Sequence, residues 1–299
     1  MITVFGSINM DLIANVERLP EPGETVAGSA FTTAAGGKGA NQALAARRGG
    51  ATVRMVGAVG NDSFAEPALA LLREAGADLT SVARSAQPTG TAHILVDTHG
   101  ENVIAVVASA NGTLTPGDAE TAVAAMAAGD ILMLQLEVPA AAVEQALHQA
   151  RSRGITTIIN IAPLTGDARR LGRMADIVIA NETEFELLAA KDGMSAEDRR
   201  HALRALHAET GQTLIVTLGA DGVIAMREGQ MYEAKGLKIE PVDTVGAGDT
   251  FCGYLAASLD AGLSFEKALR RAAVAGSLAC LKAGAQPAIP LNQDVDALI

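Results

Sequence analysis

The stretch ILMLQLEVPAAAVEQALHQARSRGITTIIN, residues 131–160, decides the fold. Ile131–Gln135 is a short apolar run of strand length, Ala140–Arg153 carries apolar residues at helical spacing, and Thr156–Asn160 returns to a β-rich run. Strand, helix and strand at this spacing are a βαβ unit, whose strands are parallel and buried on both faces. The rhythm continues outward. Downstream come a strand at Ile177–Ala180, a helix-like Glu182–Ala190, a helix at Glu197–Thr210 and a strand at Leu214–Thr217. Upstream come strands at Ile2–Gly6 and Val53–Val59, and a helix at Ala65–Gly76 that stops at its glycine. A further helix is predicted at Thr115–Ala128, with Thr115 as N-cap and Pro116 at the first helical position. The expectation is an α/β fold with a mostly parallel sheet covered by helices on both faces, formed by residues 1–299 as one domain.

Two regions break the rhythm. Leu12–Ala35 holds Pro20, Pro22, Gly23 and Gly28 among Thr and Val, and Thr91–Ala108 reads as strands Ala92–Asp97 and Asn102–Ala108 around a turn. With no helical partner, they are expected to pair with each other as a small antiparallel sheet. In the C-terminal third, Gly222–Met226 and Gln230–Ala234 form a hairpin-like pair ahead of helices at Thr250–Ala261 and Phe265–Lys282.

Composition narrows the function. The 299 residues are 49% apolar and include 31 Gly, which suits close helix-on-sheet packing. A formal net charge of −11 argues against nucleic acid as a partner, although one cleft can still carry positive potential for an anionic substrate. Cys252 and Cys280 fall in apolar helical patterns and read as buried thiols. The five His residues show no metal spacing, and His201 and His207 lie in a stretch that reads as solvated. With no signal-peptide pattern and no apolar run of about 18 residues, a soluble cytoplasmic protein without membrane contact is expected.

Four segments carry chemistry. In Asp243-Thr-Val-Gly-Ala-Gly-Asp249, the small Gly246, Ala247 and Gly248 open a helix, where free N–H groups and the helix dipole make an anion site. Asp249 then either complements that dipole or acts on a substrate. In Gly36-Gly-Lys-Gly-Ala-Asn41, Gly39 stands where a phosphate-binding P-loop needs Ser or Thr, so that pattern fails. What remains is a glycine turn before a helix at Asn41–Arg48, with Gly37, Lys38 and Asn41 able to meet hydroxyls. Asn9 and Asp11 alternate at the end of the first strand, as a turn or as a hydroxyl-binding pair. Asn181-Glu-Thr-Glu184 follows a strand and reads as a capping box or as a carboxylate near Mg²⁺ and its waters.

Together these segments resemble the ribokinase-like (pfkB) carbohydrate kinases, the family that includes ribokinase, adenosine kinase and fructokinase. The likeness runs almost end to end and is strongest to its ribose-phosphorylating members, through Gly6–Asp11, Pro22–Thr25, Gly36–Gln42, Gly100–Ile104, Gln135–Glu137, Asn181–Glu184, Val216–Gly219 and Gly284–Pro287. The resemblance implies a three-layer α/β fold with a β-lid made from residues 12–35 and 91–108, which also forms a homodimer interface. It implies ATP-dependent transfer of the γ-phosphate to the primary hydroxyl, O5, of D-ribose, giving ribose 5-phosphate and ADP. Another pentose or a nucleoside in place of ribose, or a non-catalytic sugar sensor, are the alternatives. By the same resemblance Asn9, Asp11, Gly37, Lys38, Asn41 and Glu137 hold the sugar and Asp249 is the base. Gly246, Ala247 and Gly248 form the anion hole. Asn181, Thr217, Gly219 and Gly248 meet ATP, and Glu184 organises Mg²⁺. Asp243, Val245, Ala279, Lys282 and Gly284 hold a monovalent cation, K⁺. Two positions depart from the family pattern. Ala288 stands where a Ser contacting the potassium ion is usual, and Ala273 aligns with a common Asn near the adenine.

Overall fold

The computed structural model describes residues 1–299. In chain order its elements are β1 (Ile2–Phe5), β2 (Asn9–Val16), β3 (Gly28–Gly36), α1 (Lys38–Arg48), β4 (Val53–Val59), α2 (Ala65–Glu74), β5 (Val82–Arg84), β6 (Gly90–Val96) and β7 (Asn102–Val107). Then follow α3 (Pro116–Ala124), β8 (Ile131–Leu134), α4 (Ala140–Ser152), β9 (Thr156–Asn160), α5 (Ala168–Gly172), β10 (Ile177–Asn181), α6 (Glu182–Ala189), α7 (Ala196–Thr210) and β11 (Thr213–Thr217). The chain closes with β12 (Val223–Arg227), β13 (Gln230–Ala234), α8 (Ala247–Asp260), α9 (Phe265–Ala279), α10 (Ala285–Ala288) and α11 (Asn292–Asp296).

Nine strands form the main sheet in the order β13-β12-β11-β10-β9-β8-β1-β4-β5. The seven from β11 to β5 run parallel, while β12 and β13 are antiparallel additions at one edge. Period-two alternation along each strand splits its side chains between two apolar layers. Ile131 and Met133 face α1, α2, α8 and α9, whereas Leu132 and Leu134 face α3 to α7. This double cover is why the strands read as nearly continuous apolar runs. No helix is long and apolar enough to cross a membrane.

The four remaining strands form a separate sheet in the order β3-β2-β6-β7. It corrects one expectation: β2 and β6 are parallel, paired from Asn9↔Gly90 to Asn15↔Val96, so the small sheet is mixed rather than antiparallel. Both strands leave the carboxyl edge of the main sheet, β2 after β1 and β6 after β5. They therefore travel outward together, and each then turns back, into β3 and β7.

Other expectations shift locally. His207 is buried rather than solvated: its Nδ1 donates to the Gln212 carbonyl at 2.6 Å and its Nε2 accepts from Gly229 N at 2.9 Å. Cys252 is buried and Cys280 half-buried, both as free thiols, and burial pushes both thiols' pKa up. Helices α1 and α8 each begin a turn earlier than their apolar periodicity suggests, because the glycine runs before them are already helical.

Candidate active site

The direction of chain winding reverses at β1, which lies between β4 on one side and β8 on the other. A ligand crevice in an open α/β sheet forms outside the carboxyl ends at such a point. The residues that follow β1 and β8 build it here. Glu137 Oε2 accepts from Ser7 Oγ at 2.6 Å and from Lys38 N at 3.0 Å, and Ser7 Oγ accepts from Gly39 N at 3.3 Å. The first N–H groups of α1 thus find acceptors in the loops after β8 and β1, in place of an N-cap side chain. Gly37, which precedes the helix, has φ 88°, and a Cβ there would lie 2.7 Å from Asn9 N. Only glycine lets the helix start sit this close to the strand end.

Helix α8 lies against α1 and brings Asp249 into the crevice, in its first turn. Asp249 is buried, and both carboxylate oxygens are held by consecutive residues of α1. Asn41 Nδ2 donates to Oδ2 and Gln42 Nε2 donates to Oδ1, each at 2.9 Å. The Asn41 Oδ1 atom is buried with no partner, an acceptor left for a ligand. Asp249 is the main reason the Lys38 ammonium pKa is raised despite burial, with Glu137 and Glu184 adding to it. Asp11 is also buried here. Desolvation, then the charges of Glu137 and Asp249, push its pKa up to about 7.

Asn9 is oriented by a residue that sequence reading did not single out. Asn111, in a short turn of 3₁₀ helix, accepts from Ile8 N at 2.9 Å and donates from Nδ2 to Asn9 Oδ1 at 2.7 Å. The Asn9 amide therefore turns its NH₂ away from Asn111, free to donate elsewhere.

The glycine run opens α8, directly before Asp249. Gly246 takes φ 78°, a left-handed value that glycine tolerates, and Gly248 faces open space. The run is tied to the segment before α10 through Asp243, whose Oδ1 accepts from Val245 N at 3.0 Å and whose Oδ2 accepts from Gly284 N at 2.8 Å. Both carboxylate oxygens of Asp243 are thus engaged by backbone. Val242 and Asp243 donate to the Cys280 carbonyl, next to Ala279. Asp243, Val245, Ala279 and Gly284 are therefore neighbours, and the Lys282 side chain is exposed.

Further along the same edge, Asn181 and Thr217 end adjacent strands in register, and Gly219 opens the following turn with φ 57°. The capping box is formed: Glu184 N donates to Asn181 Oδ1 and Asn181 N donates to Glu184 Oε2, both at 2.8 Å. Glu184 is nevertheless buried, and burial raises its pKa against the Asn181 N–H and Lys38. Its second oxygen makes no hydrogen bond, so capping and a ligand role are compatible.

Ser7, Gln42, Gln135, Asn160 and Asn111 are the polar residues missed at sequence level. Four had a readable signal. Ser7, Gln135 and Asn160 lie at the carboxyl ends of β1, β8 and β9, and Gln42 extends the Gly36–Asn41 run. Applied to every strand rather than the first, the carboxyl-end rule would have picked three of them. Asn111 had no local signal. A separate cleft of about 790 Å³ lies at the opposite, amino-terminal edge, beside Ile131, Thr156, Ile177 and Thr213. Two of its charged side chains are paired, Arg173 with Glu209 at 2.9 Å and Arg227 with Glu228 at 3.1 Å.

Residues 1–292 match the model of the pfkB family carbohydrate kinases. The chain is 36% identical to the ribokinase of Haemophilus influenzae over 98% of its own length and 96% of that protein. Its fold is similar to the crystal structure of a ribokinase from Thermotoga maritima, with a TM-score of 0.87, 31% identity, and 99% and 98% of the two chains covered. It is equally similar to an Arabidopsis thaliana ribokinase complexed with ribose and ATP, with a TM-score of 0.87, 30% identity, and 99% and 97% covered.

Proposed function

The chain belongs to the pfkB family of carbohydrate kinases, and from that premise we propose that it transfers the γ-phosphate of ATP to the O5 hydroxyl of D-ribose, with Asp249 as the base. That the chain is an ATP-dependent sugar kinase follows from its family and its relatives. The observation that carries the mechanistic reading is the buried Asp249 carboxylate, held on both oxygens at the open start of α8 beside Lys38 and Asp11.

In this reading Asn9 donates to a sugar hydroxyl and Asp11 accepts from one, while Gly37, Lys38, Asn41 and Glu137 complete the sugar pocket. Asp249 takes the proton from O5 as that oxygen attacks the γ-phosphorus. The new O–P bond forms as the bond to the bridging oxygen breaks, and ADP leaves with the electron pair. Gly246, Ala247 and Gly248 receive the charge on the transferring phosphoryl oxygens. Asn181, Thr217 and Gly219 line the path for the nucleotide. The small sheet acts as a lid that excludes water, which would otherwise accept the phosphoryl group.

Two metal ions fit the residues present. The free oxygen of buried Glu184 suits Mg²⁺, which is held by one or two carboxylates together with waters and substrate phosphates. When bound, it neutralises charge on the phosphates. For K⁺, the reading assigns the backbone carbonyls of Asp243, Val245, Ala279, Lys282 and Gly284, an all-oxygen set, and the hydrogen bonds that Val245 N and Gly284 N donate to Asp243 support it by tying the two loops together. A homodimer through the small sheet is supported by its exposed apolar residues Phe31, Val103, Ile104, Val106 and Val107. A cytoplasmic location goes with ATP as donor.

A coupled assay of ADP release against pentoses, hexoses and nucleosides, with and without K⁺, tests the substrate. Ribose is expected to give the highest kcat/KM. A nucleoside or another sugar well above ribose would contradict the reading.

A further inference from the structure

Two side-chain amides, Asn41 and Gln42, hold Asp249, two more back Gln42, and the hydrogen-bond chemistry allows Gln42 and its two neighbours only one orientation. The Ile179 carbonyl can only accept, so Asn160 presents Nδ2 to it at 3.2 Å and turns Oδ1 toward Gln42. Gln42 must then present Nε2, which reaches Asn160 Oδ1 at 3.2 Å and Asp249 Oδ1 at 2.9 Å. Its Oε1 consequently faces Gln135, whose Nε2 donates to it at 2.7 Å. Flipping the Gln42 amide would set oxygen against two oxygen acceptors and nitrogen against nitrogen. Gln135 has little freedom to follow, because it packs on the end of β1, where a Cβ on Gly6 would collide with its Oε1. Gln42, Gln135 and Asn160 are all buried, so their polar interactions act in a low-dielectric setting.

We propose that Gln42 is the positioning residue of the base, with Gln135 and Asn160 fixing which way its amide faces. The inference rests on Asp249 acting as the base. Asn41 holds the second oxygen, so the carboxylate cannot turn about its own axis, and each oxygen keeps a lone pair for the sugar hydroxyl. Gln42 does not touch the sugar in this arrangement. It acts on kcat, through the geometry and proton affinity of Asp249.

The test compares Gln42→Met, Gln42→Glu, Gln135→Met and Asp249→Asn by kcat, KM and the pH dependence of kcat. Gln42→Met keeps the bulk and removes the donor. It is expected to lower kcat about tenfold or more while KM for ribose and ATP stays within about twofold. The acid limb of its kcat profile should move up by about one pH unit, because the ionised base has lost a hydrogen bond. Gln42→Glu should move the limb further, since it adds a like charge. Gln135→Met should move it in the same direction by less, and the double variant Gln42→Met/Gln135→Met should be no worse than Gln42→Met alone. A merely structural Gln42 would change stability and leave the acid limb in place, and that result overturns the inference. If Asp249→Asn keeps near-normal kcat, the base assignment itself fails and the inference falls with it. An inactive Asp249→Asn beside an unmoved limb in the Gln42 and Gln135 variants removes the inference alone. Gln135→Met lies outside the contact with Asp249 and keeps the test decisive if Gln42→Met does not fold.

Discussion

Gly253 of α8 lies so close to Ala45 of α1 that a Cβ on the glycine would come within 2.5 Å of the Ala45 methyl. The contact sits one helical turn beyond the pairing of Asp249 with Asn41, on the same two helix faces. The helix separation set at Gly253 therefore governs the separation at the carboxylate. Gly253→Ala is expected to lower Tm by several degrees, from an overpacking cost of about 1–3 kcal/mol, and to lower kcat as the two helices part. Unchanged melting and turnover would show that the helices have slack at this point.

Asp11 makes stability depend on pH. Its pKa rises from an ordinary value of 3.8 to about 7 in the folded chain, mainly through burial. Below the unfolded value both states hold the proton and burial is cheap. Between about pH 4 and about pH 7 the unfolded chain releases its proton and the folded one does not, so stability falls through that window. Asp11→Asn removes the effect. Its Tm relative to the parent should be higher at about pH 8 than at about pH 4, with a full effect on the order of a few kcal/mol. A gap that stays constant across this range would contradict burial of a titrating acid.

The proposed cation site is tested at Ala288, which is buried in α10 close to the Gly284 that Asp243 anchors. Most of the proposed ligands are backbone carbonyls, so the lack of one hydroxyl should weaken the site without removing it. K⁺ is expected to activate the parent protein. Ala288→Ser should lower the K⁺ concentration for half-activation by up to about tenfold, for a contact worth about 1 kcal/mol or slightly more. Rate is measured against KCl at constant ionic strength set by a large organic cation. A flat curve for the parent excludes the site, and identical curves exclude the role of position 288.

The small sheet is tested by charge. Strand β7 is exposed along its whole length, and Phe31 is exposed on β3. Ile104→Lys with Phe31→Asp should turn a dimer into a monomer in sedimentation at micromolar concentration, and raise KM for the sugar if the partner braces the lid. A parent protein that is already monomeric and fully active would rule out this interface.

The main layer was legible because its signal is local. Leu132 and Leu134 alternate with Ile131 and Met133, and such runs separated by helical spacing leave little choice but a parallel sheet. The glycine runs at Gly36–Gly39 and Gly246–Gly248 were legible for the same reason, since small residues before an apolar helix have few other uses. What escaped depends on partners distant in the chain. Gln42 meets Asp249, 207 residues away, and Asn111 meets Asn9, 102 residues away. No periodicity records such pairings. The parallel pairing of β2 with β6 was hidden likewise, because strand direction depends on where each strand leaves the main sheet. His207 read as solvated from its charged neighbours, yet its ring turns inward to two backbone groups.

The central claim is that Asp249 removes the proton from the sugar hydroxyl, and Asp249→Asn measures it most directly. The amide has the same shape and can still meet Asn41 or Gln42 through its oxygen, but it cannot act as a base. Binding of ribose and of ATP, followed by calorimetry, should persist. The single-turnover rate of ADP formation should fall at least ~10²-fold at every pH. A variant that binds both ligands and turns over at a near-parental rate would contradict the claim.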